Sequence, residues 1–195
     1  MDRKKALARI EEELAASCRV KQQFSAELKG QIAELAERVT KTLASGGIIY
    51  WIGNGGSAAD AQHLAAELVG RLRRARKALA SVALTTNTSI LTAVANDSSY
   101  EDVFARQVEA LIRPADLLIG ISTSGNSKSV LRAIARANKR KSFTVGWTGE
   151  TGGRLAKLTQ LCLRVPSRDT QRIQEAHITI GHILCGLVED LLAPA

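Results

Sequence analysis

His63 and Glu67 stand four residues apart in "IGNGGSAADAQHLAAEL" (52–68), a spacing that puts both side chains on one face of a helix. Farther along, "RIQEAHITIGHIL" carries Gln174, His177 and His182. Gln174 and His182 are eight apart, roughly one side of a helix after a little over two turns. Two imidazoles, a carboxylate and an amide oxygen make a mixed N/O set suited to zinc, with other divalent ions as competitors. The same spacings serve simpler ends as well: a hydrogen bond along a helix surface, or a satisfied core imidazole in an apolar helix. The chain has three histidines and all of them fall on these two segments, which favours a site. Whether the two helices meet, within one subunit or across two, is a question for tertiary structure.

A second chemistry lies beside the first. In "GNGGSAADA" Gly53, Gly55 and Gly56 permit close backbone approach, and the helix that follows offers unpaired N–H groups with partial positive charge. Ser57 adds a hydroxyl there, and could equally act as a plain N-cap. "STSGNS" (122–127) repeats the device, with Ser122, Thr123, Ser124 and Ser127 around Gly125 and Asn126. Two hydroxyl-rich loops on one rim can converge on a phosphate or a sugar. The first loop lacks the Lys of a P-loop and the spacing of a dinucleotide fingerprint, so a small phosphorylated metabolite fits better than ATP or NAD.

These loops need strands before them and helices behind them. Residues 3 to about 45 read as two helices without obvious chemistry. The apolar runs at 47–53, 80–86, 115–122, 142–149 and 160–167 then alternate with helical stretches, the last from about Thr170 to Leu192. Five strands alternating with helices predict a three-layer α/β/α sandwich around a parallel sheet, because parallel crossovers are helices that must pack on its faces. In open sheets of this kind ligands gather beyond the carboxyl ends of the strands. "GNGGS", "TTNTS", "STSGNS" and "TGETGG" all stand at those ends.

The 195 residues, 45% of them hydrophobic, fit one domain with a substantial core. No apolar run suits a membrane span and the charged opening has no signal-peptide core, so a cytoplasmic protein is expected. Cys18, Cys162 and Cys185 are odd in number and lack metal-type spacing, which predicts reduced thiols. The net charge of +8 would suit an anionic ligand. Its basic clusters, "GRLRRARK" and "ANKRK", lack interleaved aromatics and any nucleic-acid motif, and read as solvated helix ends.

"GNGGSAADAQH", "AVANDSSYEDVFARQVEAL", "GISTSGNSKSVL" and "VPSRDTQRIQEAHITIGHIL" together resemble the phosphoheptose isomerases of the sugar isomerase (SIS) fold, a flavodoxin-like architecture, over nearly the whole chain. The resemblance implies a single SIS domain over 1–195, with 1–45 a helical extension involved in oligomer packing. It implies a homotetramer with pockets between subunits, converting sedoheptulose 7-phosphate to D-glycero-D-manno-heptose 7-phosphate, the first step toward activated heptose. By the same resemblance Ser57, Ser122, Ser124 and Ser127 hold the phosphate with Thr123 beside them. Asn54, Gly55, Gly56, Asn96, Asp97 and Gln174 line the sugar site. His63, Glu67, Gln174 and His182 match the zinc positions, and Glu67 and His182 the acid/base pair. No nucleic acid or membrane partner is implied. Asn87, where relatives often carry an acid, and Gln171, where some carry Asp, depart from the pattern. The rival is a noncatalytic tetrameric SIS regulator, a class that lacks the full His/Glu/Gln/His set.

Overall fold

The computed structural model describes residues 2–192. Two helices come first, α1 (Arg3–Gln22) and α2 (Ala26–Ala44). Ser25 separates them in extended backbone, its side chain accepting from the Leu28 N–H and so capping α2. There follow β1 (Ile49–Gly53), α3 (Gly56–Val69), β2 (Ser81–Ala83), α4 (Thr88–Asp97), α5 (Val103–Leu111) and β3 (Leu117–Ile121). The chain ends in α6 (Lys128–Lys139), β4 (Phe143–Thr148), α7 (Leu155–Leu158), β5 (Leu161–Arg164) and α8 (Thr170–Leu192).

All five expected strands form, in the order β2-β1-β3-β4-β5 with every pairing parallel. Chain order reverses between β1 and β3, so the topological switch point lies where these two strands end. Their register pairs Gly53 with Ile121. The loop after each strand therefore leaves the sheet at the same level and side by side.

Side-chain alternation along the strands builds a core on each face. Ile49 and Trp51 pack with Leu35 of α2, Leu64 and Leu68 of α3, and Ile180 and Leu184 of α8. Tyr50 and Ile52 face the other way, toward Phe104 and Val108 of α5 and Val130 and Ile134 of α6. At about 25 cal/mol per Å2 of apolar surface buried, these layers supply the main force holding helices to sheet.

The helical stretch expected after β2 is broken. α4 ends at Asp97, a 3-10 turn covers Tyr100–Asp102, and α5 starts at Val103. Ser99 causes the break, in extended backbone with its side chain accepting from Glu101 N–H, an arrangement that competes with helix continuation. "GRLRRARK" also departs from its reading as a solvated helix end. Beyond Gly70 it is irregular, and its Arg76 is buried against Glu189 of α8. No helix among the described residues is long and apolar enough to cross a membrane. The three cysteines are unpaired: Cys18 is exposed and Cys185 buried.

Candidate active site

α3 and α8 lie together on one face of the sheet, and a glycine lets them approach closely. A Cβ built on Gly181 would stand 2.4 Å from Cδ2 of Leu64, which is fully buried. His182 follows Gly181 directly, and His63 precedes Leu64, so the closest crossing carries both imidazoles. Their Nε2 atoms are 2.9 Å apart, and the Glu67 Oε1 atom is 3.2 Å from His63 Nε2. The helices do meet, within a single chain.

His63, Glu67 and His182 thus form a group whose chemistry and spacing could hold a metal ion. Donors arranged tetrahedrally around zinc, with bonds of about 2.0–2.1 Å, stand about 3.3 Å from one another. The Glu67–His63 separation of 3.2 Å is close to that value, and the shorter 2.9 Å between the imidazoles is also the length of a hydrogen bond from one ring to the other. Two imidazoles and a carboxylate also match the three-ligand pattern of zinc sites that keep a position open.

Gln174, the other residue expected at the metal, stands against the glycine loop. A Cβ on Gly56 would lie 2.6 Å from Gln174 Nε2, so only glycine admits the amide there. His177 has a different role. It is wholly buried beside Trp147, with Nε2 3.2 Å from the Thr148 carbonyl, and burial lowers its pKa to about 4 despite that carbonyl. It is the core histidine that the apolar helix suggested, bonded through Nε2, while its Nδ1 has no hydrogen-bond partner among the described residues.

The two loops also converge. Asn54, after β1, donates from Nδ2 to the hydroxyls of Ser127 and Ser129, each at 3.0 Å. This side chain joins loops 73 residues apart in sequence. Its Oδ1 accepts from the Tyr100 hydroxyl at 2.9 Å, which fixes the amide's orientation. Gly55, with φ of +54°, turns the chain from strand to helix in the left-handed region that favours glycine.

Neither Ser57 nor Ser127 serves as a plain N-cap. Gly55 occupies the N-cap position of α3 and Ser57, buried, is already inside the helix. Ser127 is the N-cap residue of α6 but makes no capping bond, and its hydroxyl faces Asn54 instead. Ser122 is also buried at the carboxyl end of the sheet. Thr123 and Ser124 line a cleft of about 290 Å3 with Asn126, Glu150, Ser167 and Arg168. Four of the expected hydroxyls therefore sit on the β3 rim and one at the start of α3, where helix N-termini and oriented dipoles favour anions.

Asn96 and Asp97 belong to another element. They end α4, where Asn96 Nδ2 donates to Asp97 Oδ1 at 2.8 Å. Asp97 lines a separate cleft of about 430 Å3 between α4, α5 and α6. Of the two atypical positions, Asn87 caps α4 by accepting from Ile90 N–H, and the Gln171 N–H donates to the Asp169 carboxylate.

Three side chains near these groups escaped sequence reasoning. Tyr100 and Ser129 lie inside the quoted motifs "AVANDSSYEDVFARQVEAL" and "GISTSGNSKSVL", but nothing in their spacing ties them to Asn54. Asp60, on α3 three residues before His63, is partly buried and its Oδ2 has no partner among the described residues. Burial pushes its carboxyl up to about 6, with the nearby His63 acting in the opposite direction.

A flavodoxin-type strand order, hydroxyl-rich loops at the switch point and a His/Glu/His cluster make this a doubly wound α/β domain with an anion-favouring rim. Residues 14–149 match the SIS domain family. A phosphoheptose isomerase of Roseiflexus sp. strain RS-1 is 54% identical over 181 residues, covering 93% of this chain and 92% of that protein. The structure of phosphoheptose isomerase GmhA from Neisseria gonorrhoeae superposes with a TM-score of 0.88 at 42% identity, covering 94% of this chain and 99% of that one. A phosphoheptose isomerase from Francisella tularensis gives 0.91 at 33% identity, covering 95% and 98%. This chain belongs to the phosphoheptose isomerase family.

Proposed function

We propose that the protein converts sedoheptulose 7-phosphate to D-glycero-D-manno-heptose 7-phosphate through an enediol, as the first step toward activated heptose in the cytoplasm. The observation that carries this reading is the convergence, in one chain, of the Asn54-bridged loops, Gln174 against Gly56, and the His63/Glu67/His182 cluster. A ketose becomes an aldose when a proton leaves C1 and one arrives at C2 while the two oxygens exchange protons. A carboxylate and an imidazole together can perform both transfers.

Glu67 is the base and His182 the acid in this direction, and the roles reverse in the other. Oε1 of Glu67 lies 3.2 Å from His63 Nε2, so base and imidazoles share one side of the α3–α8 crossing. Ser57, Ser122, Ser124 and Ser127, with Thr123, hold the phosphate far from the reacting carbons and so contribute binding and orientation. Asn54, Gly55, Gly56, Asn96, Asp97 and Gln174 position the sugar. Asp97 lines a different cleft from Thr123 and Ser124, an arrangement that a pocket completed by a neighbouring subunit of a tetramer accommodates.

His63, Glu67, Gln174 and His182 would hold zinc. When bound, zinc acts as a Lewis acid on the carbonyl and enediolate oxygens. The regulator alternative lacks support, since this chain has the complete ligand and acid/base set and belongs to an isomerase family.

Conversion of sedoheptulose 7-phosphate followed by NMR, with and without added zinc, tests the reading. Glu67→Gln and His182→Ala are each expected to lower turnover by at least about 10²–10⁴-fold, the usual worth of a positioned acid or base, while leaving assembly unchanged. Near-normal turnover in either variant removes its assignment, and absence of conversion by the unaltered protein under both conditions returns the regulator. Full activity after rigorous chelation would make the metal unnecessary.

A further inference from the structure

We infer that Arg76 and Glu189 are positioning residues that hold the metal-ligand face of α3 against that of α8. The inference rests on the metal reading given above. Both side chains are almost completely buried, at 4% and 1% exposure, and their ion pair spans 3.0 Å. A buried ion pair repays its desolvation only when its remaining hydrogen-bonding groups are satisfied. Here they are, by carbonyls of the last turn of α3 and by backbone groups of the loop that follows it.

The Arg76 guanidinium donates from Nη2 to the Glu67 backbone carbonyl at 2.8 Å and from Nη1 to that of Leu68 at 2.8 Å. These are carbonyls of the last turn of α3, which lack partners within the helix and carry its negative end. The cation therefore fixes the backbone of Glu67 itself, a proposed metal ligand and base. A lysine carries the charge but not the planar fork that reaches two carbonyls and a carboxylate together.

Glu189 anchors the other end. Its oxygens accept from the backbone N–H groups of Leu72, Arg73 and Arg74 at 2.9, 3.0 and 3.3 Å, and from Arg76 Nε. Desolvation pushes its carboxyl up, but these backbone donors and the Arg76 cation outweigh it and hold the group below its ordinary value. Glu189 is seven residues after His182, on the same stripe of α8 to within about 20° and two turns away. α8 is thus held at two levels: Gly181 against Leu64 of α3, beside the imidazoles, and, two turns beyond, Glu189 against Arg76, a residue of the loop after α3 that is bonded to that helix's last turn. Apolar packing already seats α8 on the sheet and on α2, and the directional bonds of the ion pair add a constraint on its rotation and axial shift relative to the end of α3. That rotation sets the distance from His182 to His63 and Glu67.

Cobalt titration of the full-length protein, followed by its visible absorption, reads the geometry without turnover. Arg76→Lys and Glu189→Gln are expected to weaken cobalt binding about 10–100-fold, as loss of an outer-shell partner does, and to lower kcat comparably while KM for the sugar phosphate holds. Val108→Ala, in the core on the opposite face of the sheet, supplies a matched loss of stability. The milder Arg76→Lys keeps the test open where Glu189→Gln does not fold. Cobalt affinity and kcat close to those of the unaltered protein in Arg76→Lys, or an equal loss in Val108→Ala, would overturn the inference alone. Failure of the unaltered protein to bind cobalt would overturn the metal reading and this inference with it.

Discussion

Asp60 sits one turn before His63 with a carboxyl raised by burial from its ordinary 3.8 to about 6. Its neutral form is the one the fold prefers. Below about pH 4 the group is protonated in both folded and unfolded chains; as pH rises through 6 the folded protein must carry a desolvated charge and loses stability. Asp60→Asn should therefore melt at nearly the wild-type temperature at pH 4 and above it at pH 7.5. A difference in melting temperature that does not change with pH would show that the carboxyl is not strained. Gly56 makes a separate residue-scale case. The atom nearest to a new Cβ is the tip of the flexible Gln174 side chain, so Gly56→Ala should fold normally. Displacing that amide by about 1 Å is expected to cost on the order of 10²-fold in kcat/KM. Unchanged kinetics would remove Gln174 from the site.

Among the elements, the crossing of α3 and α8 decides the most. Both helices are readable from the sequence, since their apolar positions recur at helical spacing, and α8 occupies the Thr170–Leu192 range that pattern indicates. Gly181 is the residue that brings them into contact, and its role is invisible without Leu64 opposite. Gly181→Ala should lower stability by about 1–3 kcal/mol through overpacking and push the imidazoles apart. Denaturant unfolding together with cobalt affinity checks both effects; a stable variant with full affinity would show that the crossing tolerates a wider gap. The break between α4 and α5 illustrates the opposite case. Ser98 and Ser99 can be seen in the sequence, but hydroxyl residues also occur within helices, and only the bond from Glu101 N–H to Ser99 decides the break.

For the whole molecule, the surface of α1 is informative. Leu7, Ile10 and Leu14 are each more than half exposed, three or four residues apart, on a helix with no buried residue. Apolar residues at that spacing form a stripe suited to another helix. α1 is tied to α8 by Arg172, which donates to the Glu13 carbonyl and pairs with the Glu13 and Glu175 carboxylates at 3.2 and 2.9 Å. With the proposed tetramer, light scattering should give four times the 20.9 kDa chain mass. Ile10→Lys combined with Leu14→Lys should lower that mass. A monomeric wild-type protein, or a double variant of unchanged mass, would place the interface elsewhere.

Local periodicity determined the five strands, the long final helix, the rim that carries the polar loops and the His63–Glu67 pairing, because each depends on residues a few positions apart. The resemblance of four motifs added the function to be expected. Tertiary structure decided what lies between distant segments. Asn54 reaches Ser127 and Ser129, Gln174 lies on Gly56, His177 belongs to the core, and an arginine from a run that reads as solvated becomes a buried clamp on Glu189. The physical reason is that charge and hydrogen-bonding capacity are properties of a residue, whereas burial and partnership are properties of the packed helices around it.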